Sequence, residues 1–525
     1  MPLSLSMPVS SGALPKEIET NPKKARAWVE SLPLTKTIQS AKAIAETLAA
    51  LNRSKISADE RIALFEIYRP VVTVLLDELD AIYAYASLPL QPKQKEAFEL
   101  AHFVAAELSY AYKIFVVEKT GKLIAFGIKK SLITPFYRIL TNLLAQMMQS
   151  YRTYHPVPKG VWLEASALFL YANEQGFADE NADPDAKGSV GDVYREMLML
   201  SLADPYRLMY LEVDRTLELL RQNRGLVEFK SSSEGMDPQR SFVVAFDADV
   251  APKPLVQGNR PPLGEVMRLV DPTKLVERLQ QKLKAGNTSA ASVAKSRATH
   301  DTIDLIARLI RLWGDPPKRQ FRRTAAETGV ALCSGIKAVA YFAELATNEK
   351  TEISAEAIAD GRTIPLLNIP QDPMSQLIGV EEWVVLNQSA NGLRMHRNQP
   401  GNVGVTVGEV VAVRFVGGKT WNVGMIRWLT LLEGNALEFG IELIAAAGYN
   451  VTIEPTIGSS NRPVQAILLS SAHAEILPDT VLTVPETFAD LREFELNDHG
   501  EVSHVRAITL IERTSKFDMF QFQAS

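Results

Sequence analysis

A chain of 525 residues is too long for one ordinary hydrophobic core, so about three domains are expected. Its 46% hydrophobic and 22% charged content suits folded globular domains and excludes a disordered chain. The net charge of −5 excludes a general polyanion binder, so any basic site has to be local.

A single cysteine, Cys333, excludes an internal disulfide framework and predicts a reducing compartment. Its setting, Val330-Ala331-Leu332-Cys333, reads as a buried structural thiol rather than a nucleophile. No unbroken apolar run reaches membrane-spanning length. The best stretch, Val71 to Leu88, is interrupted by Asp77, Glu78 and Asp80. Residues 1–20 carry Pro2, Pro8 and several serines, which predict a flexible tail rather than a signal peptide. A cytoplasmic location is expected.

From 21 to 224 the pattern is helical, with stops at loop clusters such as Pro156-Val157-Pro158-Lys159-Gly160. Asp204-Pro205 predicts a helix start, with an N-cap carboxylate and a proline in the first turn. Leu208, Leu211, Leu217, Leu219 and Leu220 carry a helical spacing onward from it. The span from Gly160 to Arg224 thus predicts a pair of long antiparallel helices. From 225 to 315 the pattern is mixed. Leu226 to Phe229 and Phe242 to Phe246 read as short strands, and two helices come next, near Pro272 to Leu283 and Asp301 to Trp313. Gly314 suits the end of the second helix, and Pro316-Pro317 forbids its continuation.

The next segment, 316 to 450, opens on an extended linker and is β-rich from Thr328. Val384 to Leu386 reads as a strand ending on Asn387, and Val405 to Val416 and Val423 to Leu431 read as further strands. Leu437, Phe439, Ile441 and Leu443 alternate with Glu438, Gly440 and Glu442, after a turn at Glu433-Gly434-Asn435. Short strands with Gly and Asn turns suggest a small barrel. From 451 to 525 a β-patterned extension continues, with strands near Val464 to Leu469, Val481 to Val484 and Ala507 to Glu512. The pattern leaves open whether this is a separate barrel or part of the first.

Chemistry concentrates in two short stretches. Lys318-Arg319-Gln320-Phe321-Arg322-Arg323 contains R-x-x-x-R, and four of its six residues are basic. Asn387-Gln388-Ser389-Ala390-Asn391-Gly392 reads [D/N]-x-S-x-x-G. Arginine binds phosphate bidentately, pairs with guanine O6 and N7, and stacks on bases. Asn387 and Ser389 offer short polar groups at a strand mouth, and Gly392 permits positive φ or close backbone approach. Leu393, Met395 and Trp383 are expected to anchor that turn in the core. A basic hexapeptide alone is ordinarily a solvated charge run. Its pairing with the turn, in a β-rich context, changes that reading.

Together the two stretches resemble the PilZ domain, a bacterial receptor module for cyclic di-GMP. The resemblance covers Pro317 to Ala447 and implies a small six-stranded barrel. It implies cyclic di-GMP as the ligand, with arginine roles for Arg319 and Arg323 and turn roles for Asn387, Ser389 and Gly392. Lys318 and Arg322 are further ligand candidates; Arg394 and His396 read as ordinary surface residues. The spacing between the stretches is longer than is usual for the family and implies an insertion between Thr347 and Gln376.

The expected class is therefore an α+β multidomain protein, with a helical N-terminal region, a PilZ-like barrel and a β-rich C-terminal extension. The resemblance implies a receptor that couples cyclic di-GMP to a helical output domain and through it to a protein partner. Motility, biofilm formation or polysaccharide export are outputs of that kind; an interaction scaffold that binds no nucleotide is the alternative. No G-x-S-x-G, H-E-x-x-H or P-loop occurs, and the seven histidines form no zinc pattern, so neither an enzyme nor a metal site is expected. Asp247 and Asp249 resemble a metal-binding pair only loosely. DNA is not an expected partner.

Overall fold

A computed structural model of the chain describes residues 3–12, 15, 18–121, 128–183, 188–231, 240–255, 263–264, 266–288, 297–315, 324–348, 379–399, 401–418, 420–432, 435–456, 462–470 and 479–525. The chain divides into two compact units. One comprises Met1–Ala86, Leu90–Pro205 and Leu211–Lys318; the other comprises Ser87–Pro89, Tyr206–Tyr210 and Arg319–Ser525.

The first unit is mostly helical: α1 (Pro22–Glu30), α2 (Thr37–Arg53), α3 (Ala58–Tyr83), α4 (Pro92–Thr120), α5 (Ile128–Arg152), α6 (Val161–Glu174), α7 (Val190–Ser201) and α8 (Glu212–Arg221). Caps set several of the starts. Ser57 and Glu60 form a capping box at α3, and Ser189 and Asp192 form another at α7. In α2, Ala41, Ile44, Ala45, Leu48 and Leu51 make one buried stripe at helical spacing. α4 packs against α2, α3 and α5. By length and composition α4 could cross a membrane, but 61% of its apolar window is buried inside the fold, as in a core helix. Polar side chains also hold the bundle. Arg152 of α5 pairs with Asp80 of α3 and Asp214 of α8, while Tyr83 and Tyr85 donate to those same carboxylates.

Two expectations for this region need correction. Asp204-Pro205 does not start a long helix. Asp204 has φ 53°, not the extended backbone of an N-cap, and only a 3₁₀ turn, Pro205–Arg207, comes after it. A second positive φ, 62° at Leu211, reverses the chain before α8 begins. The expected pair of long helices over 160–224 is instead three shorter ones, broken by this turn and by the small hairpin of β1 (Asn181–Asp183) and β2 (Gly188–Ser189).

The unit continues with β3 (Glu228–Lys230), β4 (Phe242–Ala245), β5 (Lys253–Pro254) and β6 (Met267–Asp271), in a four-stranded sheet of order β3-β6-β4-β5. Helices α9 (Thr273–Thr288) and α10 (Arg297–Gly314) complete it. Leu305, Ile306, Leu309 and Trp313 of α10 are buried as their spacing predicts.

The second unit holds two closed barrels. The first contains β7 (Thr324–Ser334), β8 (Glu381–Gln388), β9 (Gly392–Arg397), β10 (Val410–Phe415), β11 (Asn422–Leu431) and β12 (Leu437–Ala445), in the order β10-β11-β12-β9-β8-β7. All of its pairings are antiparallel. A helix that the β-rich reading did not anticipate, α11 (Ile336–Asn348), leaves β7 at Gly335, whose φ is 91°. It covers one face of β10, so Val410, Val411, Ala412 and Val413 are all buried. That is why β10 reads as a continuous apolar run rather than an alternation.

The C-terminal extension is a separate barrel. It contains β13 (Ala447–Pro455), β14 (Val464–Ser470), β15 (Thr480–Thr483), β16 (Glu493–Asp498), β17 (Glu501–Arg513) and β18 (Asp518–Ala524), in the order β13-β14-β15-β18-β17-β16. One residue, Ala446, separates it from β12. Val451, Ile453, Ala466, Val481, Phe494 and Phe520 lie in its core.

Candidate functional site

The sequence places the polar turn between β8 and β9, and local hydrogen bonds shape it. Ser389 donates its backbone N–H to the Gly392 carbonyl at 2.8 Å, and its hydroxyl lies 3.4 Å from the same oxygen. The Asn391 carbonyl accepts from Leu443 of β12 at 2.8 Å, fastening the turn to the neighbouring strand. Trp383, Leu393 and Met395 are buried below and anchor it in the core as expected. Trp383 packs edge-on to Phe439, with ring centroids 4.8 Å apart.

Gly392 does its work through size. Its backbone is that of a strand, without positive φ. A Cβ there would lie 3.0 Å from the Ser389 hydroxyl and 3.5 Å from the Ile441 carbonyl. The positive φ expected as one of its two possible roles is thus absent, and what the missing Cβ does within the fold is leave room for the Ser389 hydroxyl.

Asn387 stands opposite Arg394, across a register shift between Val385 and Asn387. Residues directly opposite share a face, so Asn387 and Arg394 both point outward from the barrel. The Asn387 side chain has no hydrogen-bond partner among the described residues. Arg394 pairs with Glu438, which also faces His396 at 3.4 Å. One strand further on, Gly440 is opposite Arg394, and Trp428 is opposite Gly440. A Cβ on Gly440 would run into the Trp428 indole, so that ring lies over the glycine on the outer face. Asn387, Arg394, Gly440 and Trp428 thus form one row across three strand pairings.

The sequence reading missed Trp428. Strict alternation would give it the same face as Ile426, but a register shift between Ile426 and Trp428 turns Arg427 and Trp428 outward together. A glycine facing a tryptophan across a strand pair was the only available signal.

The arginine segment, Lys318, Arg319, Arg322 and Arg323, lies outside the described residues. The strand that leads away from it lies within them. β7 opens at Thr324, the residue after Arg323, and its first pairing is Thr324 with Gln388, the residue before Ser389.

Other candidates resolve as structure. Cys333 is buried, and that burial pushes its thiol up to about 12. The Asp249 carboxylate accepts from the backbone N–H groups of Gly160, Trp162 and Leu163 and so caps α6. Among the described residues no group of three His, Cys, Asp or Glu could hold a metal ion.

Three family descriptions match consecutive parts of the chain. Residues 23–234 match the N-terminal domain of the cyclic-di-GMP receptor FimW. Residues 241–357 and 371–449 match its middle PilZ domain, and residues 451–525 match its C-terminal β-barrel domain. The interruption of the middle match falls where the spacing of the half-motifs implies an insertion. A cyclic-di-GMP receptor FimW of Pseudomonas aeruginosa is 23% identical over 580 residues, spanning 100% of this chain and 94% of its own. The middle segment of the chain is therefore a PilZ domain, set between segments that match the N-terminal domain and the C-terminal β-barrel domain of the same receptor.

Proposed function

We propose that this protein is a cyclic di-GMP receptor, holding the dinucleotide between the arginine segment and the β8–β9 turn. In this reading Arg319 and Arg323 bind phosphate and guanine edges, and Lys318 and Arg322 add positive charge. Asn387 and Ser389 supply short polar groups for a base edge, and Gly392 allows close approach. Trp428 adds an aromatic surface in the same row as Asn387 and Arg394.

The observation that carries the proposal is the pairing of Thr324 with Gln388. Arg323 is bonded to Thr324, and Gln388 precedes Ser389, so this pairing supports a reading in which the two half-motifs serve one ligand. The relative's name, cyclic-di-GMP receptor FimW, supports the same ligand. Fixing the arginine segment around a ligand restricts the chain joining α10 to β7, which gives a route to the helical region and a protein partner bound there. Motility, adhesion and polysaccharide export are outputs of this class.

Calorimetric titration with cyclic di-GMP, with GTP and cyclic AMP as controls, tests the proposal. Saturable binding of cyclic di-GMP alone is expected. Arg323→Ala should weaken it about ten- to hundredfold through lost charge-assisted hydrogen bonds. An Arg319/Arg323 double alanine variant with full affinity would remove these residues from the site. A wild-type protein that does not saturate at micromolar concentration would leave the ligand-independent scaffold as the better reading.

A further inference from the structure

The two barrels of the second unit share one strand order. Numbered one to six within each barrel, the strands of both run 4-5-6-3-2-1 around the closed circle. Every neighbouring pair is antiparallel in both. We infer that the C-terminal barrel is a second copy of the PilZ topology, stripped of the nucleotide half-motifs, and that it serves as a positioning partner coupled to the nucleotide turn of the first. The coupling to nucleotide rests on the function proposed above; the duplicated topology does not.

Loss of the half-motifs is legible in the chain. The polar turn of the first barrel joins its second and third strands. In the C-terminal barrel that connection reads Ser471-Ala472-His473-Ala474-Glu475-Ile476-Leu477-Pro478-Asp479, without [D/N]-x-S-x-x-G. Its first strand is entered from Ile444-Ala445-Ala446, without an arginine. Neither stretch therefore carries the paired arginines or the [D/N]-x-S-x-x-G residues that the proposed ligand site uses.

Three physical links join this copy to the turn of the first barrel. First, β12, which fastens the turn through Leu443, runs into β13 across Ala446 alone, so no free linker separates the barrels. Second, one apolar core surrounds α11 and takes residues from both. Cys333, Ala412, Val423 and Met425 come from the first barrel, and Ile467, Leu482, Phe517 and Met519 from the second. Such a core resists sliding of one barrel over the other.

Third, Arg427 clamps the two. Its Nε donates to Glu442 of β12 at 2.5 Å, and its Nη1 and Nη2 donate to the two carboxylate oxygens of Glu512 in β17 at 3.2 and 3.1 Å. Glu442 is the cross-strand neighbour of Gly392, the last residue of the turn motif. The fork is bidentate toward Glu512, which gives the contact a defined direction. A change at Gly392 therefore bears on Glu442, on Arg427 and on the C-terminal barrel in turn. By linkage, a change at Glu512 must bear equally on ligand affinity.

The test uses the full chain and Glu512→Gln, which keeps the shape of residue 512 and removes its charge. In nucleotide-free protein, amide hydrogen exchange at Leu443 should be faster in the variant than in wild type. With cyclic di-GMP, wild type should show slowed exchange across Glu501–Arg513, and the variant should bind about three- to tenfold more weakly without that slowing. Unchanged Leu443 exchange in the variant overturns the coupling whether or not nucleotide binds. So does a wild-type complex whose C-terminal barrel is unmoved. Failure of wild type to saturate would sink the ligand assignment, and the Leu443 comparison would still judge the coupling.

Discussion

The Trp428 indole occupies the space where Gly440, across the strand pair, would carry its Cβ. The contact sets the ring against the outer face of the first barrel, in line with Arg394 and Asn387. Gly440→Ala should expel the ring and destabilise the barrel by about 1–3 kcal/mol, an overpacking cost measurable by denaturant unfolding. Trp428→Ala should leave the fold intact and cost about 1–3 kcal/mol of nucleotide binding, the usual worth of an aromatic platform under a base. Full affinity in Trp428→Ala would take the indole out of the site.

Gly392 separates a packing effect from a ligand effect. The hydroxyl that a Cβ would meet at 3.0 Å belongs to Ser389, a short side chain able to rotate away. Gly392→Ala should therefore cost the fold only about 1 kcal/mol or less. Nucleotide affinity should fall by more than that, because the turn loses both its close approach and the serine orientation. Equal losses in thermal unfolding and in calorimetric affinity would contradict this division.

In the helical unit, Arg152 faces both Asp80 and Asp214. Burial opposes its charge, yet the two carboxylates hold its pKa above the ordinary value. Arg152→Met would leave two partly buried carboxylates without their cation. A destabilisation of about 3 kcal/mol is expected in chemical denaturation, and Asp80→Asn in the same background should recover part of it.

His102 and His155 make stability depend on pH. Both flank Phe98, with ring centroids 4.5 and 4.4 Å away, and burial lowers each pKa from 6.5 to about 4. The folded state thus keeps both neutral while the unfolded state takes up protons first. Their contribution to stability is complete above pH 6.5, falls as pH drops toward about 4, and changes no further below that. The slope is up to about 1.4 kcal/mol per pH unit for each histidine. His102 or His155 ring resonances titrating near 6.5 in the folded protein would contradict the assignment.

Much of the proposed nucleotide site is legible in short-range pattern because its parts are local. R-x-x-x-R and [D/N]-x-S-x-x-G each lie within six residues, and the chemistry of arginine, serine and glycine is the same wherever they stand. The helices of the first unit arise in the same way from capping residues and apolar stripes. α11 was missed because its alanines lie inside a β-rich stretch, and its helix is stabilised by packing among strands distant in the chain.

The sequence by itself determined the half-motifs, the family they resemble, the helical character of the first half and the β character of the second. Tertiary structure alone decided that the C-terminal strands close into their own barrel with the strand order of the first. It also decided that β7 enters beside Ser389, and that Trp428 and Arg427 turn outward together. Those outcomes depend on register, and register is set by hydrogen bonds between strands far apart in the chain, where inserting one bulged residue reverses which side chains meet.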